Sequence, residues 1–218
     1  MMTDTLQVNE IFHSLQGEST RAGLPCTFIR LAGCNLSCSW CDTRYAMDEP
    51  GRSLTIGMIL AAIRPFDTKL VEITGGEPLL QKATPVLASA LIAAGHDVII
   101  ETNGSMDISV LPHPVGRIMD LKTPSSGMAS RNRMANLAHL GRGDEVKMVI
   151  ADTEDYTWAV SVIQSPGYPG APVETLLSPA QAKVAPAELA AWILRDHLPV
   201  RLNLQQHKFI WPASERGV

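Results

Sequence analysis

The sequence predicts a parallel α/β fold, an open and partial (β/α)6-type barrel. Two observations carry that expectation. Short apolar runs alternate along the chain with longer amphipathic stretches, which implies a parallel sheet with helical crossovers. Several of the runs also end in polar or glycine-rich turns, as strands do where parallel β/α proteins bind ligands. The expected strands are Cys26–Leu31, Leu70–Thr74, Val98–Glu101, Arg117–Leu121, Glu145–Ile150, Thr175–Leu177 and Val200–Leu204. The expected helices are Thr55–Ile63, Leu79–Ala94, Ser130–Leu140, Glu154–Gln164 and Pro186–Arg195, several bounded by Gly or Pro. About six β/α units fit, against eight in a complete barrel. A doubly wound sandwich is the alternative.

The chain has 218 residues, 45% hydrophobic and 18% charged, with a formal net charge of −4. That length suits one domain, residues 1–218, with a sizeable core. No basic block is present, so a nucleic acid is not expected as partner. No apolar run reaches the ~18 residues of a membrane span. The N-terminal segment lacks the basic-then-apolar pattern of a secretory signal. The expected location is the cytoplasm. There, three of the four cysteines lying within eight residues point to metal or redox chemistry rather than disulfides.

Three strand ends stand out. Leu70–Thr74 runs into Gly75-Gly76-Glu77-Pro78, Ile99–Glu101 into Thr102-Asn103-Gly104, and Met119–Lys122 into Thr123-Pro124. Alternation places Asp120 and Lys122 on one face of their strand and Met119 and Leu121 on the other. A carboxylate and an ammonium in a barrel lumen pair with each other or hold a ligand together. Any one of these residues alone reads equally well as a solvated loop group. Three such ends together favour a ligand site.

The cysteines read Cys34-x3-Cys38-x2-Cys41, in a loop after a strand and Gly33. Soft thiolates select zinc or iron–sulfur. A structural zinc wants a fourth donor. Cys26 lies inside an expected strand and reads as a buried apolar residue, while His13 and Asp42 lack zinc-finger spacing. Three thiolates on a four-iron cluster leave one iron open to a reactive ligand, where ordinary clusters use four cysteines.

At this point the chain resembles the radical S-adenosylmethionine (SAM) enzymes. Their triad has this spacing after a first barrel strand, and Thr74-Gly75-Gly76-Glu77-Pro78 resembles their second motif, which binds the methionine amino group. Glycines there let backbone carbonyls approach a ligand, and Glu77 is expected to receive an ammonium. Further segments, Leu15-Gln16-Gly17-Glu18, Phe28-Ile29-Arg30-Leu31, Trp40-Cys41-Asp42-Thr43, Glu101–Gly104, Asp120–Pro124 and Gln206-His207-Lys208, resemble the ring-contracting branch that makes 7-deazapurines for queuosine biosynthesis. The likeness covers essentially the whole chain.

The resemblance implies a [4Fe-4S] cluster on Cys34, Cys38 and Cys41, SAM as cofactor, and a carboxylated tetrahydropterin as small-molecule substrate. It implies Mg2+ on the hydroxyl of Thr43, an electron donor such as flavodoxin or ferredoxin, and a homodimer. Gln16, Glu18, Arg30, Thr74 and His207 match substrate-binding positions. Gly75, Gly76, Glu77, Asp42, Glu101, Asn103, Asp120, Lys122 and Ser125 match the cofactor side. Arg30, alone in an apolar strand, is expected to take the substrate carboxylate in a two-pronged contact. Two departures from the pattern are Ser19, where glycine is frequent, and the segment Ala213–Val218 beyond Trp211-Pro212. Two rivals are a glycyl-radical-enzyme activase and a zinc-stabilised binding module without catalysis.

Overall fold

A computed structural model describes residues 4–212 and 216–218. One mixed nine-stranded sheet runs through it. Its strands are β1 (Thr5–Leu15), β2 (Pro25–Leu31), β3 (Arg52–Thr55), β4 (Leu70–Gly75), β5 (Asp97–Thr102), β6 (Gly116–Asp120), β7 (Glu145–Ile150), β8 (Glu174–Pro179) and β9 (Arg201–Leu202). The order is β3-β1-β2-β4-β5-β6-β7-β8-β9, and β3 and β9 are unpaired edges, so the barrel stays open as expected. From β2 to β9 every pairing is parallel, whereas β1 pairs antiparallel with both β2 and β3.

Among the described residues six α-helices accompany the sheet: α1 (Arg44–Asp48), α2 (Ile56–Ile63), α3 (Thr84–Ala93), α4 (Thr153–Ile163), α5 (Pro186–Arg195) and α6 (His207–Ile210). The core lies between helices and sheet. Ile29, Leu31, Val71, Ile73, Ile100, Met119, Val146 and Met148 from the strands meet Ile59, Leu87, Leu91, Ala159 and Leu189 from the helices. Burying each such side chain contributes roughly 1.5–3 kcal/mol. The alternate strand residues face the lumen. Its floor is a small apolar plug of Cys26, Phe28, Leu70, Ile99 and Ile118.

The sequence reading needs four corrections here. Strand β1 was not expected; a β-bulge between Val8 and Glu10 shifts its register and breaks the period-two pattern that would have revealed it. Strand β3 is four residues long with only Leu54 as an apolar residue, too short for an alternation to read. The helix expected over Leu79–Ala94 begins only at Thr84. Pro85 is tolerated in its first turn and not further inside, so Pro78–Leu80 forms a separate 3-10 turn. Ser130–Leu140 is not an α-helix but two 3-10 turns, Ala129–Arg131 and Met134–His139. Its asparagines serve other backbones: Asn132 Nδ2 donates to Lys122 O at 2.9 Å, and Asn136 Nδ2 donates to Met106 O at 2.7 Å.

Ser19 has φ +65°, the left-handed region that favours glycine. The conformation explains the glycine of the resembling pattern. Here it is held by Ser19 N donating to Asn203 Oδ1 at 2.9 Å and Ser19 Oγ accepting from Arg21 N at 3.0 Å. We expect Ser19→Val to destabilise the protein by about 2 kcal/mol, since a β-branched side chain suits this region worst. Ser19→Gly should melt no lower than the parent. Thermal unfolding of both variants checks this, and equal losses would refute it.

Candidate active site

The C-terminal ends of the parallel strands open into one cavity of about 640 Å3. Pockets for drug-sized ligands span roughly 300–1,000 Å3. Cys34, Cys38 and Cys41 all line it. They are unpaired thiols, Cys38 buried and Cys41 exposed. Their loop is tied down on both sides. Asn103 Nδ2 donates to Asn35 Oδ1 at 3.0 Å and reaches Cys34 Sγ at 3.8 Å. Ser39 Oγ donates to Ser125 O at 2.7 Å. Lys122 Nζ stands 5.1 Å from the centre of the Trp40 ring.

The Gly75-Gly76 turn presses against the start of this loop. A Cβ on Gly75 would sit 2.3 Å from Leu31 O, and one on Gly76 would sit 2.3 Å from Gly33 O. Only glycine allows that approach. Gly76 N donates to Leu31 O at 3.2 Å and Glu77 N to Gly33 O at 2.8 Å, so the two motifs are one backbone unit.

These residues fit the implied cofactors. Three free thiols and both glycines line the one cavity. Asp120 Oδ2 accepts from Lys122 Nζ at 2.8 Å, while its Oδ1 is buried without a partner, as an atom awaiting a ligand donor would be. Among the described residues no three His, Cys, Asp or Glu side chains surround a point closely enough to hold one metal ion. A four-iron cluster makes a different demand, because its cysteines bind separate irons.

Gln16, Glu18, Arg30, Thr74 and His207 line the same cavity. Arg30 is not alone as the sequence reading had it. Its Nε donates to Glu10 Oε1 at 2.7 Å, an oxygen that also accepts from Tyr45 at 2.7 Å. Among the described residues its terminal nitrogens make no hydrogen bond, so the fork remains available to an anion. Glu18 is bound by Lys147 Nζ at 3.1 Å, Gln205 Nε2 at 2.8 Å and Asn203 Nδ2 at 3.2 Å. His207 begins α6 and packs onto Gly17, where a Cβ would meet its Nδ1 at 2.3 Å. Burial lowers the His207 pKa, favouring the neutral ring.

Lys147 was missed from the sequence. Its ammonium bridges Glu18 and Glu101. Burial works against the charge, but the two carboxylates outweigh it and hold the lysine pKa well above its ordinary value. Burial likewise opposes ionisation of Glu18, and Lys147 overrides it, leaving that carboxyl below its ordinary value. Glu72 was also missed. Glu72 is a lone charge at a lumen-facing position of an apolar strand, the signal that singled out Arg30; Lys147 shares its strand face with Glu145.

Two expected contacts need correction. Glu77 is fully buried and absent from the cavity wall. Its carboxylate accepts from Asn103 N at 2.7 Å, Leu79 N at 2.9 Å and Thr102 Oγ1 at 2.8 Å, so it clamps the β4 turn to the β5 turn instead of receiving an ammonium. Ser125 does not line the cavity either. Its hydroxyl is engaged by Asp155 and by Trp40 Nε1, at 3.3 Å from the latter, which anchors the cysteine loop. The remaining expected residues, including Asp42 and Thr43, all line the cavity.

An open, largely parallel sheet with a C-x3-C-x2-C loop beside a Gly-Gly-Glu-Pro turn defines a class, the radical SAM enzymes, and the Radical SAM superfamily profile matches residues 28–122. A 7-carboxy-7-deazaguanine synthase of Chlorobaculum tepidum is 45% identical over 216 residues, 98% of this chain and 97% of that one. Its counterpart in Koribacter versatilis is 41% identical over 227 residues, 98% of this chain and 100% of that one. The chain belongs to the 7-carboxy-7-deazaguanine synthase family of radical SAM enzymes. The crystal structure of QueE from Escherichia coli shares the fold, with a TM-score of 0.69 at 23% identity over 93% of this chain and 95% of that one. Streptococcus suis SuiB bound to S-adenosylmethionine is a more distant likeness, TM-score 0.56 at 13% identity over 79% of this chain and 48% of that one.

Removing the Lys147 charge leaves two carboxylates facing each other. We expect Lys147→Met to lose about 3 kcal/mol of stability at neutral pH. The Glu18 pKa is lower folded than unfolded, so its contribution is present above the ordinary value of 4.5 and fades as pH falls through the folded value. The gap between parent and variant should therefore narrow in acid, and a pH-independent gap in urea melts would refute the charge argument. Cys26 sits at the lumen floor, fully buried, with its thiol pKa raised by burial. Cys26→Ala should retain full iron content after reconstitution; lost iron would make it a ligand.

Proposed function

We propose that this chain, acting as one domain, converts 6-carboxy-5,6,7,8-tetrahydropterin to 7-carboxy-7-deazaguanine with release of ammonia. One observation carries the reading: the three thiols, the free guanidinium fork of Arg30 and Gln16 all line a single cavity. Its volume of about 640 Å3 suits a cofactor and a small carboxylated heterocycle held together.

When bound, the [4Fe-4S] cluster and SAM supply a carbon-centred radical that abstracts a substrate hydrogen. The protein's own part is to hold and orient. Cys34, Cys38 and Cys41 would hold the cluster. The backbone of Thr74–Gly76, with Asn103, Glu101, Asp120 and Lys122, would hold SAM. Arg30 takes the substrate carboxylate. Gln16 and the neighbouring Glu18 face the aminopyrimidinone edge, which offers both donors and an acceptor. Thr74 is buried in the cavity wall, with Oγ1 3.4 Å from Glu101 Oε2.

Thr43 is the Mg2+ ligand in this reading. It precedes α1 without a capping hydrogen bond, and its side chain stays free of that duty. Magnesium favours oxygen donors and often binds through substrate oxygens, here the substrate carboxylate. The end of the chain closes the same region: Val218 lines the cavity, and Arg216 stacks on Tyr45 at 3.9 Å and pairs with Glu49 at 2.9 Å. The extension beyond Pro212 thus still reaches the pocket, while Ala213–Glu215 lie outside the described residues. The exposed Cys41 edge suits approach of a small reducing protein such as flavodoxin or ferredoxin. Two copies in the cytoplasm complete the reading. Among the described residues no helix is long and apolar enough to cross a membrane.

The test is anaerobic reconstitution, reduction, and addition of SAM with the pterin, followed by mass spectrometry. A SAM-dependent 7-deazaguanine carboxylate is the expected product. SAM cleavage with untouched pterin would retain the radical chemistry and reject the substrate. Arg30→Ala should keep its iron yet lose at least about a hundredfold in kcat/KM, as a buried charge-assisted pair is removed, and Arg30→Lys should not restore it. Unchanged kinetics in Arg30→Ala would reject the carboxylate assignment.

A further inference from the structure

Glu72 lies on β4 between Leu70 and Thr74 on the lumen face, and it is 2% exposed. Register sets Phe28 of β2 and Ile99 of β5 beside it, so an acid stands in the rim of the apolar plug directly below the substrate layer. Its partner is Gln16, whose Nε2 donates to Glu72 Oε2. On the other side, Gln16 Oε1 accepts from Glu18 N at 2.5 Å. A backbone N–H can only donate, so the amide oxygen must face Glu18 and the amide nitrogen must face Glu72. The Gln16 amide therefore has one orientation.

We propose that Glu72 is a positioning residue for the substrate: through Gln16 it fixes the donor and acceptor edge that the lumen presents to the aminopyrimidinone ring. The inference rests on the substrate reading above.

The charges around Glu72 support it. Glu18 and Glu101 both bind Lys147 directly, and Glu72 does not. Arg30, the remaining cation facing it, is already paired with Glu10, and Cys26 faces it as a neutral thiol. Burial, then the charge of Glu101, pushes the Glu72 pKa well above its ordinary value. A neutral acid has one oxygen to accept from Gln16 and a hydroxyl to donate toward the cavity, which Glu72 lines. Glutamine reproduces both functions, and leucine neither.

The experiment compares wild type, Glu72→Gln and Glu72→Leu as reconstituted enzymes. Glu72→Leu should raise KM for the pterin about tenfold or more, since a buried hydrogen-bonding group is left unpaired. Its kcat should move less than about threefold, with iron content and substrate-free SAM cleavage unchanged. Glu72→Gln should keep KM within about threefold of wild type and should hold it flat at alkaline pH, where ionising Glu72 raises the wild-type value. The folded pKa is raised, so its stability contribution is present below the ordinary value of 4.5 and lost as pH rises through the folded value. Glu72→Gln should accordingly melt above wild type at alkaline pH, the difference vanishing in acid. An unchanged KM in Glu72→Leu, or a KM in Glu72→Gln as poor as in Glu72→Leu, would overturn the proposal. Wild type that cleaves SAM but leaves the pterin untouched would defeat the substrate reading instead, and the melting comparison would still report the state of Glu72.

Discussion

The lumen depends on one ammonium. Two carboxylates, those of Glu18 and Glu101, converge beside the acid of Glu72 inside a sheet whose floor is apolar, and Lys147 is the cation that pairs with both carboxylates. Buried charges survive only when paired and hydrogen-bonded. Lys147 comes from β7, Glu101 from β5, and Glu18 from the connection after β1. Each side of the cavity is thus held to the others by charge across the lumen as well as by backbone ladders. The cost of assembling it is met by the outer face of the same strands, where alternate residues pack under the helices.

A second constraint is backbone proximity. The cysteine loop and the Gly-Gly turn approach so closely that no Cβ fits between them. Glu77 then fastens the turn to β5, and Ser125 with Asp155 fastens the loop from the other side. The cluster-binding and cofactor-binding motifs are therefore one rigid unit before any ligand arrives. Preorganisation of this kind reduces the ordering cost that binding would otherwise carry.

Much of this was legible in the sequence, and the misses have physical causes. The parallel strands β2 and β4 to β8 show as apolar runs because both faces are covered along much of their length. Strand β1 hid behind its bulge, and β3 behind its shortness. The segment 130–140 has a helix-like apolar spacing, but Asn132 and Asn136 lend their amides to the loops after β5 and β6, and tertiary hydrogen bonds overrode local pattern. In the site, motif likeness gathered residues that line one cavity because they cluster at strand ends. Glu72 and Lys147 belong to no motif, yet a lone charge in an apolar strand, as Glu72 is, is visible without one.

Motif likeness did not separate residues that touch a ligand from residues that hold those that do. Glu77 and Glu72 are both buried acids on or just beyond β4, five positions apart in number, and both hold other groups in place. Glu77 has three protein donors and no cavity face, so no ligand reaches it. Glu72 has one protein donor and lines the cavity. A cavity face distinguishes them, and it likewise distinguishes Asp120, which lines the cavity with an oxygen left over, from Ser125, which does not line it and gives its hydroxyl proton to Asp155. Access to the cavity with hydrogen-bond capacity still unspent, rather than proximity to a motif, marks the side chains through which this fold can recognise what it binds.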